Sequence, residues 1–334
     1  MLGGCRLTAL RWPRWRWLWV TCGLLILCGL PVLGGAVEAA AAEPSATEPS
    51  PGLEPSQVLV LGRISDDPKV HYQQLKPLLD YVVPRMRDVG IREGRILMAP
   101  DAQRMASYLR RGRVDWVTET AGTAMLLQQR SGARPLLLTE RNGVREYSTV
   151  FFVRRDSPVQ RLGQLTGHSI ALQSTLSTSA YLVPVLTLLE NGLHPEILLG
   201  PKDEPAPDAV GYVFARSELN IAAYVHKRLV TAGAFSDLDW KDERHLPPAF
   251  KRDFRIIHTT PPIPRAVEMV RADLPPAVQR RLREVLMQAA QDPQAAPALH
   301  KFFGTSGFYL VDPASQRELD ALREGLQRVR MQVE

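Results

Sequence analysis

The stretch STLSTSAYLVP, residues 174–184, puts five hydroxyl side chains (Ser174, Thr175, Ser177, Thr178 and Ser179) into six positions, ahead of Tyr181 and an apolar run. A helix cap needs only one of them. The first turn of a helix also presents up to four unpaired N–H groups and about half a positive charge. Hydroxyls clustered there direct several donors at an anion without a lysine. A phosphate-like group suits such a cluster best, because three or more oxygens accept hydrogen bonds from several directions. The same residues also make an ordinary Ser/Thr turn with an N-cap, and the cluster alone leaves both readings open.

Two charged residues bear on the same chemistry. Arg265, in PPIPRAVE, either clamps an oxyanion with its guanidinium fork or sits in an ordinary ion pair. Glu119, in TETAG, falls at the carboxyl end of a strand. There it repels a dianion unless it pairs internally, with Arg265 as the candidate, or meets a cationic group on a zwitterionic ligand. Trp116 and Trp240 are candidates for a pocket wall, although core burial is the commoner fate of tryptophan.

Catalysis finds little support. The seven histidines are scattered, with no pair at ligand spacing and no accompanying cysteine, so no metal site is expected. No G-x-S-x-G, phosphate-loop or dinucleotide fingerprint occurs. Nothing nominates a base for Ser174 or Ser177 as nucleophile. The chain is read as a non-enzyme without catalytic residues or cofactor.

The elements that must position these side chains begin after a leader. Residues 1–39 carry a basic start (Arg6, Arg11, Arg14, Arg16), an apolar run to about Leu33 and an alanine-rich end, the pattern of a secretory signal peptide cleaved near Ala39 to Ala42. Pro31 and the glycines at 29, 34 and 35 interrupt the run and disfavour a retained anchor. All three cysteines (Cys5, Cys22, Cys28) lie in this leader, so the exported part has neither disulfide nor thiolate. The whole chain carries +6; without the four arginines and one glutamate of residues 1–38, 37 basic residues face 34 acidic ones, or +3. That balance is no nucleic-acid footprint. Residues 40–56 are Ala, Pro, Ser and Glu, read as a disordered linker.

From Gln57 onward the pattern alternates strand and helix. QVLVLGR, RILMAP and VDWVT are short buried strands; Leu75, Leu78, Leu79, Val82 and Met86 form one helical stripe. Asp101 is placed to cap the next helix and Gly112 to close it. Short connections of this kind predict a parallel α/β sheet. The pattern resumes with STVFFV, GHSIALQ, GYVFA, LVTAGAF and FRIIHTT, and the C-terminal segment from Pro275 reads as mostly helical. STVFFVRRDSP and PPIPRAVEMVRADLP look like crossings between two lobes, 57–149 with 262–334 and 150–261. The cleft between them would face the carboxyl ends of strands, where open α/β sheets bind ligands.

LGRISDDP, RRGRVDWVTE (110–119), EYSTVFFVRRDSPVQRLGQLTGHSIALQ (146–173) and STSAYLVP (177–184) resemble, in order and spacing, the periplasmic binding proteins of phosphonate, phosphite and phosphate-type ABC importers. The resemblance implies the two-lobed type II periplasmic-binding-protein fold, an α/β architecture, and capture of a small phosphorus oxyanion. It places Ser177, Thr178 and Ser179 on the oxyanion and includes Tyr181 in the Ser-Thr-Ser-small-Tyr motif. Tyr147 would stand beside the ligand, and Glu218 would meet the amino group of an aminophosphonate. Departures are Arg216 and Ser217 where a histidine is common, Ala180 for a common Gly, and Thr231 for a common acid. The implied partners are an ABC permease in the inner membrane or, alternatively, a membrane sensor or kinase, with the protein a periplasmic monomer. A changed anionic or zwitterionic ligand is the other alternative.

Overall fold

The computed structural model describes residues 57–333; the expected signal peptide and linker lie outside the described residues. The chain starts with β1 (Val58–Ile64), α1 (Pro68–Val82), β2 (Glu93–Ala99), α2 (Ala102–Arg110), β3 (Trp116–Glu119), α3 (Ala121–Ser131) and β4 (Arg134–Arg141). A short β5 (Glu146–Tyr147) leads to β6 (Thr149–Arg154), β7 (Ser169–Leu172) and a π-helical turn (Thr178–Leu182) that continues as α4 (Val183–Glu190). Next come β8 (His194–Ile197), β9 (Ala209–Phe214), α5 (Glu218–His226), β10 (Ala232–Ser236), α6 (Pro248–Lys251) and β11 (Phe254–Thr259). The return passes through β12 (Ile263–Pro264), β13 (Ala266–Val270), α7 (Pro276–Ala289), α8 (Ala296–Lys301), β14 (Thr305–Tyr309) and α9 (Pro313–Gln332).

The strands form two six-stranded sheets, ordered β14-β4-β13-β3-β1-β2 and β11-β6-β10-β7-β9-β8. Each has a parallel run, the three strands β2-β1-β3 or the four strands β8-β9-β7-β10, followed by an antiparallel strand, β13 or β6. The two crossings run side by side as the antiparallel pair β5 and β12, with Ile263 opposite Tyr147. This is the two-lobed α/β architecture, with mixed sheets flanked by helices. Every residue of β3, β13 and β10 is buried, as expected of central strands covered on both faces.

Local sequence explains the element boundaries. Asp67 accepts a hydrogen bond from the Val70 N–H and Pro68 follows at the first helical position, which starts α1. Asp101 caps α2 through the Arg104 N–H, as its spacing predicts. Leu75, Leu78, Leu79 and Val82 of α1 pack with Leu59, Leu61 and Trp116 beneath α7; full burial of each such leucine is worth about 1.5–3 kcal/mol. In the second sheet Phe152 packs on Phe235 and Phe254, with ring centroids 4.6 and 5.1 Å apart, and on Trp240.

Helix α9 packs on both α3 and α4 and so braces the two lobes. Glycine permits the close approaches: a Cβ on Gly325 would stand 2.3 Å from Leu186, and one on Gly122 would stand 2.7 Å from the Thr178 hydroxyl. Among the described residues no helix is long and apolar enough to cross a membrane.

Candidate ligand-binding site

A cavity of about 590 Å³ opens between the sheets. It is lined by the residues that end or follow the parallel strands: Ser65 and Asp66 after β1, Pro100 after β2, Glu119 and Thr120 at β3, Gln173 and Ser174 after β7, Arg216 after β9, and Ser236 at β10. Carboxyl-terminal edges from both lobes therefore meet at one site, as the doubly wound arrangement requires.

The wall from the second lobe is built around the π-helical turn, a distortion of helix that recurs at functional sites. Ser177 is its N-cap and accepts from the Ala180 N–H at 3.1 Å. The Thr178 and Ser179 amides fall in the first turn, where no intrahelical acceptor exists. Thr178 is buried, and its hydroxyl is turned to the first lobe. It accepts from the Gly122 N–H at 3.2 Å and lies 2.9 Å from the Thr120 hydroxyl, while Thr123 donates to the Leu176 carbonyl at 3.2 Å. Thr178 thus caps α3 across the cleft. Ser174 and Ser179 remain as half-buried hydroxyls on the cavity. Tyr147 stands beside the Ser179 and Thr178 side chains, and burial raises its phenol pKa against the opposing pull of Arg265. The Arg265 guanidinium lies 5.0 Å from the centre of the Tyr147 ring, a cation–π distance.

The first lobe presents an ion pair at the cavity. Arg63 donates to Glu119 at 3.0 Å and to the Thr118 carbonyl at 2.7 Å, and the Ile64 N–H takes the other Glu119 oxygen at 3.0 Å. Burial raises the Glu119 pKa, and Arg63 opposes the shift. Behind this pair, Glu268 accepts from Trp116, Thr118 and Thr139 at 2.6, 2.7 and 2.8 Å. Arg141 donates to Thr118, and its pKa is lowered to about 9 by burial, then by Arg63 and Arg265. Arg63 and Arg141 both lie over the Phe303 ring, 4.7 and 4.6 Å from its centre. His71 shares a 2.6 Å hydrogen bond with Ser65, and burial lowers its pKa, favouring neutral imidazole.

Two carboxylates close the second-lobe side. Glu218 has its pKa raised by burial and then by Asp239, which is itself hydrogen-bonded to Ser236 and His245.

Of the eight residues singled out in the sequence, Glu119, Tyr147, Ser177, Thr178, Ser179, Glu218 and Arg265 line the cavity. Tyr181 does not: it is 1 % exposed, and its ring packs on Tyr212 and Phe214 in the core. One helical position past Ala180 points it inward. Glu119 pairs with Arg63, not with Arg265. Trp116 and Trp240 belong to the core, where Trp116 donates to Glu268 and Trp240 packs on Phe152. Sequence reasoning passed over Arg63, Gln173, His71 and Asp239. Arg63 lies inside LGRISDDP, two residues before the strand-end serine, and that position was its only signal.

A chain that crosses twice between two mixed sheets and opens one cavity at their facing carboxyl edges is a periplasmic binding protein of the type II fold. It belongs to the periplasmic substrate-binding proteins of phosphonate ABC transporters, whose profile matches residues 62–316. Among solved structures it is similar to the XAC2383 protein of Xanthomonas citri. The chloride-bound structure is 63 % identical with TM-score 0.80, covering 83 % of this chain and all of that one. The ATP-bound structure is 62 % identical with TM-score 0.80, covering 84 % of this chain and all of that one. The fold is shared with PhnD1 of Prochlorococcus marinus, solved with methylphosphonate, at 15 % identity and TM-score 0.58 over 82 % of this chain and 98 % of that one. No curated protein matches the chain. Membership implies a small ligand, a permease partner and a periplasmic location.

Proposed function

We propose that the protein captures a phosphorus oxyanion, whether phosphonate, phosphite or phosphate, and delivers it to its permease without chemical change. The observation that carries this reading is the first turn of the π-helical segment. With the loop before it, this turn puts Ser174 and Ser179 on the cavity wall and leaves the Thr178 and Ser179 amides without an intrahelical acceptor, with Arg265 and Tyr147 alongside. Such an array supplies directed donors and a partial positive charge to a tetrahedral anion. Closure of the lobes excludes water and strengthens each of these contacts. Phosphoryl oxygens are the shared chemistry of the methylphosphonate bound to PhnD1 and the ATP bound to the 62 %-identical XAC2383 protein, which supports the same class here.

The test is calorimetric titration with phosphate, phosphite, methylphosphonate, 2-aminoethylphosphonate and sulfate. At about 1,000 times its Kd a ligand adds roughly 4 kcal/mol to stability, so a thermal-shift screen ranks the panel first. Ser174→Ala combined with Ser179→Ala removes two charge-assisted hydrogen bonds and is expected to cost about 3 kcal/mol of binding, roughly a hundredfold in Kd. Unchanged affinity in that double variant sinks the reading.

A further inference from the structure

Arg216 occupies a backbone position that suits glycine or asparagine. Its φ is +69°, in the left-handed region that costs a residue with a Cβ about 1–2 kcal/mol. The strain is held from both sides. The Ala215 and Arg216 N–H groups bond to the Leu172 and Gln173 carbonyls at 2.7 and 3.0 Å, Ser217 caps α5 through the Asn220 N–H, and the Asn220 side chain holds the Ala215 carbonyl at 2.9 Å. Strain of this kind concentrates at ligand sites. The side chain that the chain keeps there is a cation on the cavity, exposed, and without a side-chain hydrogen bond or ion pair among the described residues. Arg63, by contrast, is neutralised by Glu119.

The cavity is also larger than a single phosphoryl group requires. Its volume of about 590 Å³ lies in the roughly 300–1,000 Å³ range of drug-sized ligands, whereas one water occupies about 30 Å³ of liquid. Arg265 and Tyr147 stand with the π-helical turn, while Arg216 lines the cavity from the corner between β9 and α5.

We propose that Arg216 is a second anion subsite and that the cavity takes a ligand with two linked phosphoryl groups, one at the π-helical turn and the other on the Arg216 guanidinium. Arginine suits this role because its planar fork meets two phosphate oxygens at once. The inference rests on the reading of the turn as the first phosphoryl site, and it assigns Arg216 as the residue that selects linked phosphates over a lone oxyanion.

The experiment compares inorganic pyrophosphate with methylphosphonate on the wild-type protein and on Arg216→Gly and Arg216→Lys. Glycine removes the cation and relieves the left-handed strain, so this variant folds at least as stably as the parent; a denaturation midpoint checks that. Pyrophosphate is expected to bind the wild type at least tenfold more tightly than methylphosphonate. Arg216→Gly is expected to lower that preference at least tenfold, and Arg216→Lys to lower it by less. A preference that Arg216→Gly leaves intact overturns the subsite, as does a wild-type protein that binds methylphosphonate as tightly as pyrophosphate. In either case the single-oxyanion reading stands if Ser174→Ala/Ser179→Ala still weakens methylphosphonate binding by roughly a hundredfold. Binding of neither probe overturns the subsite, and titration with phosphate and phosphite then decides the single-oxyanion reading.

Discussion

The two walls of the cleft are built on the same plan and do different work. In each lobe an inner strand of the parallel run, β1 or β7, ends at the cavity and feeds a helix N-terminus. In the first lobe that helix is capped by Asp67, and the nearby charges Arg63 and Glu119 are spent on each other. In the second lobe the cap is Ser177, neutral, with Ser174 and Ser179 beside it. Both helix starts, one α-helical and the other π-helical, offer a partial positive charge, but a carboxylate cap already neutralises it while a hydroxyl cap leaves it uncompensated. On the proposed reading, the charge of the cap residue sets which of the two helix ends is open to an anion.

The substitution that breaks this contrast most sharply is Ser177→Asp, which gives the second lobe the cap of the first. Aspartate caps as well as serine, so stability is retained. Anion binding is expected to disappear in calorimetry, since a like charge against the ligand costs several kcal/mol. Retained binding would mean that the Ser177 end of the turn does not meet the anion. Arg63→Met attacks the other wall. It strands Glu119 in a buried site and is expected to cost about 3–5 kcal/mol of stability, read from urea unfolding. A loss below about 1 kcal/mol would show that the first-lobe pair is not a structural clasp.

The smallest effect concerns pH. Burial and Asp239 raise the Glu218 pKa, so its negative charge is lost at a higher pH than for an ordinary glutamate. The protonated form no longer repels an anion. Affinity is therefore expected to rise as pH falls through that pKa, by about 1 kcal/mol or roughly fivefold. Comparing wild type with Glu218→Gln cancels the titration of the ligand itself. Equal pH profiles in the two proteins would place Glu218 away from the bound anion.

Much of the fold was legible because strand and helix periods are local. The α1 stripe, the Asp101 cap, and the strands at QVLVLGR, RILMAP, VDWVT, STVFFV, GHSIALQ, GYVFA, LVTAGAF and FRIIHTT follow from residue spacing, whereas β4 and β8 were passed over. β14 was not legible: TSGFY is five residues long, lies between helices, and becomes a strand by pairing with β4. The hydroxyl cluster was visible as a cluster, but the division of labour within it was not. Ser177 caps, Thr178 latches onto α3 and Ser179 faces the cavity, and only the π-helical turn and the opposite lobe assign those roles. Arg63 and Glu119 are 56 positions apart, and no periodicity links them.

The sequence by itself determined the α/β class, the segments that become strands and helices, and a run of hydroxyls suited to an oxyanion, because each depends on neighbours a few residues away. The tertiary structure alone decided which charges pair and which stay open to a ligand. Two parallel runs of strands had to bring their carboxyl edges together before Arg63 met Glu119, Thr178 met Gly122, and Arg216 and Arg265 were left on the cavity without an ion pair among the described residues. Electrostatic pairing depends on distance in space, and the fold, not the order of residues, sets that distance.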